Sequence, residues 1–126
     1  MDFTLKLPQE WQVSALAGSV QAVCGNLELS VEMGPMPADS TPQDQAFTNF
    51  LDMVGFDDDD PEDYNPIGVC TFNNRKAYGF QAWADEDRRI CVLCMEPKKG
   101  MLCVVSAIGP DPNQVLALVE KGLRFT

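Results

Sequence analysis

A chain of 126 residues, 45% of them hydrophobic, is long enough to bury a core as one domain over residues 1–126 and too apolar for disorder throughout. Nine basic residues against 19 acidic ones leave a net charge of −10, a field that repels phosphate backbones and anionic membranes, so neither is expected as a partner. There is no histidine, which removes Ser-His-Asp and Cys-His catalysis, histidine-ligated metals and any histidine general base.

The elements read clearly in chain order. Phe3, Leu5 and Leu7 alternate with polar residues, the period of a half-buried strand that Pro8 stops. Trp11, Val13 and Ala15 form a second extended piece, and Ala17-Gly18-Ser19 a turn. Val20, Ala22 and Cys24 make a third strand, and Gly25-Asn26 signals a hairpin. Leu27, Leu29, Val31 and Met33 alternate with Glu28, Ser30 and Glu32, so the fourth strand has one wet face. Residues 34–40 read as a loop. Thr41 then caps a helix with Pro42 in its first turn, and Phe47, Phe50, Leu51 and Val54 share one helical face before Gly55 ends it.

Residues 56–66 form a strongly acidic connection, expected to be solvated. From Ile67 a four-stranded antiparallel meander is predicted at about 67–73, 77–84, 89–96 and 101–108. Its turns fall at 73–76, 85–88 and 97–100. The third of these strands, around Cys91 to Met95, is apolar on both faces, which predicts cover on both sides. Asp111 caps a second helix, Pro112 starts it, and Gln114 is placed to complete a capping box. Val115, Leu116, Leu118 and Val119 supply the buried face, Gly122 ends the helix, and Leu123-Arg124-Phe125 reads as a last strand. The predicted class is α+β: an antiparallel sheet with a C-terminal four-stranded meander and two short helices packed on it.

No apolar run approaches the ~20 residues that span a bilayer. The first five residues lack a basic region followed by an apolar core, so the expected compartment is the cytoplasm. Five cysteines, an odd count, fit reduced thiols there. Cys91-x-x-Cys94 has redox or zinc spacing, but residues i and i+3 of a strand point to opposite faces, so the sulfurs diverge and both read as core residues. The acidic run 57–63 lacks the glycine and the spacing of a calcium loop and reads as a charged surface segment, with weak divalent-cation binding as the other option. No carboxylate pair is marked for catalysis and no glycine-rich turn joins a strand to a helix as in a phosphate loop, so no catalytic residue, metal ligand or cofactor is assigned.

Partner binding is read from the turns and the tryptophans. Successive meander turns alternate between the two ends of a sheet. Arg75, Lys76, Lys98 and Lys99 therefore share one end, while Asp85, Glu86, Asp87 and the acidic connection share the other. The alternative is that these turns are charged only for solubility. Trp11 reads as a core anchor; Trp83 is a core-edge residue or, on a wet face, a binding anchor. The candidate partner-binding residues are thus Arg75, Lys76, Trp83, Lys98 and Lys99.

The opening strand running into Leu7-Pro8-x-x-Trp11, the strand pairs, helix, meander, and a last helix closing on Leu123-Arg124-Phe125 together resemble the PsbP-like superfamily. The resemblance spans nearly the whole chain in element order, and the chain is also similar in composition to small proteins of gut Bacteroides-type bacteria. A nuclear-import factor that binds the Ran GTPase and bacterial chaperones of secreted effectors share that fold. The resemblance implies an antiparallel sheet with packed helices and a non-enzymatic role in binding other proteins. Photosystem members use histidine among their metal-binding residues, which this chain lacks, so no manganese or calcium site carries over. The expectation is a protein-binding module, adaptor or chaperone of bacterial type with a protein partner and no enzyme activity. The alternative is a small-ligand or divalent-cation-binding protein.

Overall fold

The structure, a computed structural model, describes residues 3–54, 67–83 and 85–125. The elements are β1 (Phe3–Leu5), β2 (Gln12–Leu16), β3 (Ser19–Cys24), β4 (Leu27–Pro35), α1 (Pro42–Val54), β5 (Gly68–Phe72), β6 (Arg75–Trp83), β7 (Arg89–Lys98), β8 (Met101–Gly109), α2 (Pro112–Gly122) and β9 (Leu123–Phe125). This is the expected α+β arrangement. The predicted meander is β5 to β8, each strand paired with the next.

The order in the seven-stranded sheet is β2-β3-β4-β8-β7-β6-β5. An N-terminal meander and the C-terminal one are thus fused through β4 and β8, from Glu28 opposite Ile108 to Pro35 opposite Met101. The chain ends form a separate ribbon in which Phe3 pairs with Phe125 and Leu5 with Leu123. Neither long-range pairing has a local sequence signal.

Strand alternation sorts the core into two layers. On one face Val31, Met95, Val105, Val115, Val119, Phe3 and Leu123 are buried together, so α2 and the ribbon cover this side. On the other, Ala46 and Phe50 of α1 pack on Phe80, Val92 and Cys94, with the Phe50 and Phe80 rings edge to face at 5.2 Å. Strand β7 feeds both layers and is buried from Ile90 to Met95, as its apolar run predicts. Cys91 belongs to the α2 layer and Cys94 to the α1 layer, so the two sulfurs do lie on opposite sides of the sheet. Burial pushes the Cys91 thiol up to about 11 and the Cys94 thiol up to about 12.

The helix starts follow from their caps. Thr41 Oγ1 accepts the Asp44 N–H at 3.1 Å while Asp44 Oδ2 accepts the Thr41 N–H at 3.2 Å, a reciprocal capping box closed by aspartate. At α2, Asp111 accepts the Asn113 N–H at 3.2 Å. Gln114 contributes its backbone N–H to the Asp111 carbonyl, and among the described residues its side chain does not complete the expected box.

Two turns and one loop are shorter than the sequence suggests. Asn73 and Asn74 both have positive φ, 54° and 62°, which asparagine tolerates, so β5 and β6 are joined by these two residues alone. Arg75 and Lys76 are therefore strand residues, a correction of the four-residue turn. Likewise β7 continues through Pro97 to Lys98, because the ladder shifts register between Met95 and Lys98 and a proline is tolerated there. Residues 34 and 35, expected in a loop, extend β4 against β8. Gly122 is the last residue of α2, and its role is steric: a Cβ there would meet the backbone of Lys6. The expected helix stop at Gly55 and the acidic connection 56–66 lie outside the described residues.

Candidate functional site

Strand β5 is one margin of the large sheet, with no described strand on its outer side. Its five residues carry no charge, and all but Phe72 are exposed. Edge strands are commonly guarded by lysine, proline or a bulge. Among the described residues β5 has none of these, and no described strand pairs with its outer backbone.

Beside this margin a cleft of about 470 Å3 lies between α2 and the floor made by β5, β6 and β7. Two glycines create it. Gly68 sits directly across from Gly79 on the α2 face, so neither strand raises a side chain at that point. At Gly79 a Cβ would collide with the Val92 carbonyl, whereas at Gly68 its nearest neighbour would be the Gly79 carbonyl at 4.0 Å. Phe72, Leu93 and Leu116 supply apolar walls. Polar groups stand at the two ends. Gln81 Nε2 donates to Asn113 Oδ1 at 3.3 Å at the start of α2, and Glu120 Oε2 accepts the Asn73 N–H at 2.7 Å near its end. Cys70 lies in the cleft, its thiol pushed up by burial and then by the Glu120 carboxylate. A thiol held protonated is a weak nucleophile.

Trp83 is two residues beyond Gln81 on the same face of β6 and is 68% exposed. Directly across the ladder, the Arg89 guanidinium lies 5.0 Å from its ring centre, a cation–π contact between two exposed side chains. Trp83 lies four residues beyond Gly79 on β6, roughly 13 Å along the strand from the glycine pair, and on the same face as the cleft.

The other sequence-derived candidates do not join it. Lys76 and Trp83 are seven positions apart on β6, roughly 23 Å at the rise of a strand, and point to opposite faces. Lys76 lies 5.9 Å from the Tyr78 ring. Arg75 is held structurally: its guanidinium is 4.7 Å from the Phe125 ring centre and donates to the Asn73 carbonyl at 3.1 Å. Lys98 and Lys99 are exposed at the turn into β8, at the same sheet end as Arg75. At the opposite end Asp85 is held below the usual carboxylate range by its hydrogen bond from Arg88, which is 2.7 Å away and also reaches Glu28 at 3.8 Å. The acidic stretch expected to join that end lies outside the described residues. The sequence reading missed Gly68, Gly79, Gln81, Asn113 and Glu120. Glycine inside two predicted strands was the available signal, since it marks close approach or missing volume.

A seven-stranded antiparallel sheet with a helix on each face and a ribbon of the first and last strands is an α+β fold shared with PsbP. Among solved structures, the solution structure of cyanobacterial PsbP from Synechocystis superposes with a TM-score of 0.62 at 12% identity, over 99% of this chain and 87% of that one. A crystal structure from Bacteroides thetaiotaomicron gives 0.65 at 10% identity, over 99% of this chain and 45% of that one, so this chain spans less than half its length. At such identities the likeness concerns the fold alone. No family model matches the sequence, and no curated protein matches it. No helix among the described residues is long and apolar enough to cross a membrane.

Proposed function

We propose that this chain is a non-enzymatic protein-binding module of the PsbP-like superfamily, an adaptor or chaperone of bacterial type acting in the cytoplasm, and that it takes an extended segment of its partner along β5. The observation that carries this reading is the β5 margin, uncharged and, among the described residues, without the usual guards of an edge strand, with Trp83 exposed on the neighbouring strand β6. Backbone pairing to an edge supplies affinity, and side-chain pockets next to it supply selectivity. The trough over Gly68 and Gly79 would receive one long side chain of the added strand. A buried tryptophan is a common binding hot spot.

Panning a displayed library of random short peptides on the chain tests the proposal. Selected peptides should shift the amide resonances of β5 and β6 and lose about thirtyfold in affinity with Trp83→Ala. Peptides that bind elsewhere, or indifferently to Trp83→Ala, would count against it.

The cleft volume also favours a second reading. About 470 Å3 with amide groups at one end and a carboxylate at the other falls within the size range of small-ligand sites. On that reading Gly68→Phe abolishes ligand binding, while Trp83→Ala leaves it unchanged.

A further inference from the structure

We infer that the depression between the β1–β9 ribbon and the last turn of α2 binds a small organic oxyanion, a phosphate or carboxylate head on an apolar body. Lys6, Lys121 and Arg124 line it, three of the chain's nine cations, and no described acidic residue does. In a chain of net charge −10 this is a local reversal of sign. The depression lies on a different flank of α2 from the β5 cleft and shares no lining residue with it, so the inference stands apart from the protein-binding reading.

The register of the ribbon explains the convergence. Thr4 stands directly opposite Arg124, and two residues further along the Lys6 N–H donates to the Gly122 carbonyl at 3.0 Å. Phe3 and Leu123 point into the core, so the alternate residues Thr4, Lys6 and Arg124 share the outer face. Lys121 joins them from the final turn of α2. Because Gly122 has no side chain, the Lys6 backbone lies directly on the helix end.

The charges are available. The ion pairs among the described residues involve only Arg88. Arg124 donates through Nη1 to the Leu123 carbonyl at 2.7 Å, which orients the guanidinium and leaves its other N–H groups for a ligand. A basic residue in the last turn of a helix often serves only to offset the negative end of the helix dipole. That accounts for Lys121 and not for Lys6 or Arg124, which belong to strands. The dipole end amounts to about half a negative charge, and three full positive charges outweigh it.

Size and lining point to the rest of the ligand. The depression measures about 370 Å3, much more than a bare phosphate or carboxylate group fills, and Leu7, Pro8 and Leu118 give it an apolar wall. A small anion held in the depression stays within about 8 Å, the Debye length, of the three cations, whereas an extended polyanion reaches past them onto the surface of a chain of net charge −10 and is repelled there.

The test is a series of titrations followed in ¹H–¹⁵N spectra at matched ionic strength, with phenyl phosphate, benzoate, inorganic phosphate, phenol and sodium chloride. Phenyl phosphate or benzoate should give saturable shifts at Thr4, Lys6, Gly122 and Arg124, and whichever binds more tightly identifies the head group. Inorganic phosphate should bind more weakly and phenol not at all. Lys6→Gln and Arg124→Gln, both at exposed positions, should each weaken binding about tenfold, with the rest of the spectrum and the thermal midpoint unchanged. Shifts that fail to saturate, that sodium chloride reproduces, or that survive both substitutions would overturn the inference.

Discussion

Glu120 of α2 accepts the backbone N–H of Asn73 at 2.7 Å, and the Asn73 side chain donates to the Leu123 carbonyl at 2.8 Å. The two-residue turn between β5 and β6 is thereby tied to the last helix and to the start of β9. Asn73 makes both bonds from a left-handed backbone conformation, φ 54°, with its N–H toward α2 and its side chain toward β9.

Asn73→Gly keeps that conformation and loses the side-chain bond, at a cost of about 1 kcal/mol. Asn73→Ala also forces a left-handed backbone on a residue that disfavours it, for a total of about 2–3 kcal/mol. Urea denaturation of both variants checks this. Equal losses would mean that the backbone conformation contributes nothing.

The paired glycines of the cleft should respond differently to the same change. Gly68→Ala has space around the new methyl and should alter stability by less than about 0.5 kcal/mol. Gly79→Ala must displace the Val92 carbonyl and Leu93, an overpacking cost of about 1–3 kcal/mol. Gly122→Ala, against the Lys6 backbone, belongs with the second group. Thermal unfolding of the three variants is the measurement.

The thiols divide by burial. Cys91, Cys94 and Cys103 are pushed up to about 11, 12 and 12 by desolvation, and exposed Cys70 should react first with Ellman's reagent. Glu120→Gln removes a negative charge that raises the Cys70 pKa, so that thiol should react faster at fixed pH near 8. An unchanged rate would remove the carboxylate as a cause.

The same thiols set the alkaline limit of stability. Their folded pKa values lie above the unfolded value of about 8.5, so between that value and 11–12 the native state holds more protons than the unfolded one. Their contribution is fully present below the unfolded pKa and is lost as pH rises toward 11–12, each thiol by up to about 1.4 kcal/mol per pH unit. The urea midpoint should fall over that window, and replacing the three buried cysteines with alanine or valine should flatten the fall.

Of the basic candidates, Arg75 should matter for folding and Lys98 should not. Arg75→Ala removes the contact with Phe125 and the bond to the Asn73 carbonyl, about 1–2 kcal/mol together. Lys98→Ala, at an exposed strand end, should stay within about 0.5 kcal/mol. The same denaturation series reads both.

Much of the fold was legible because it is written in short periods. Alternation in Leu27 to Met33 and the doubly apolar run at Cys91 to Met95 each state their own surroundings, and the latter was enough to separate the two sulfurs of the Cys-x-x-Cys spacing. Thr41 and Asp111 declared their helix starts for the same reason, since a cap acts within three residues. The turns were less legible: four polar residues at 73–76 do not disclose that only the two asparagines turn, because that depends on register with the partner strand.

The sequence by itself therefore determined the elements, their buried faces and the consecutive pairings of the meander, all of which follow from interactions between near neighbours. Tertiary structure alone decided that β4 pairs with β8 and that the first and last strands meet. Those pairings bury apolar faces that no local pattern can match to one another. The cation patch is a product of that step, and the glycine trough depends on the register of the β5–β6 hairpin and on where α2 packs over it. Gly68 and Gly79 leave a trough only when set face to face, and Lys6, Lys121 and Arg124 become one patch only when a strand from one end of the chain is laid against the helix and strand at the other.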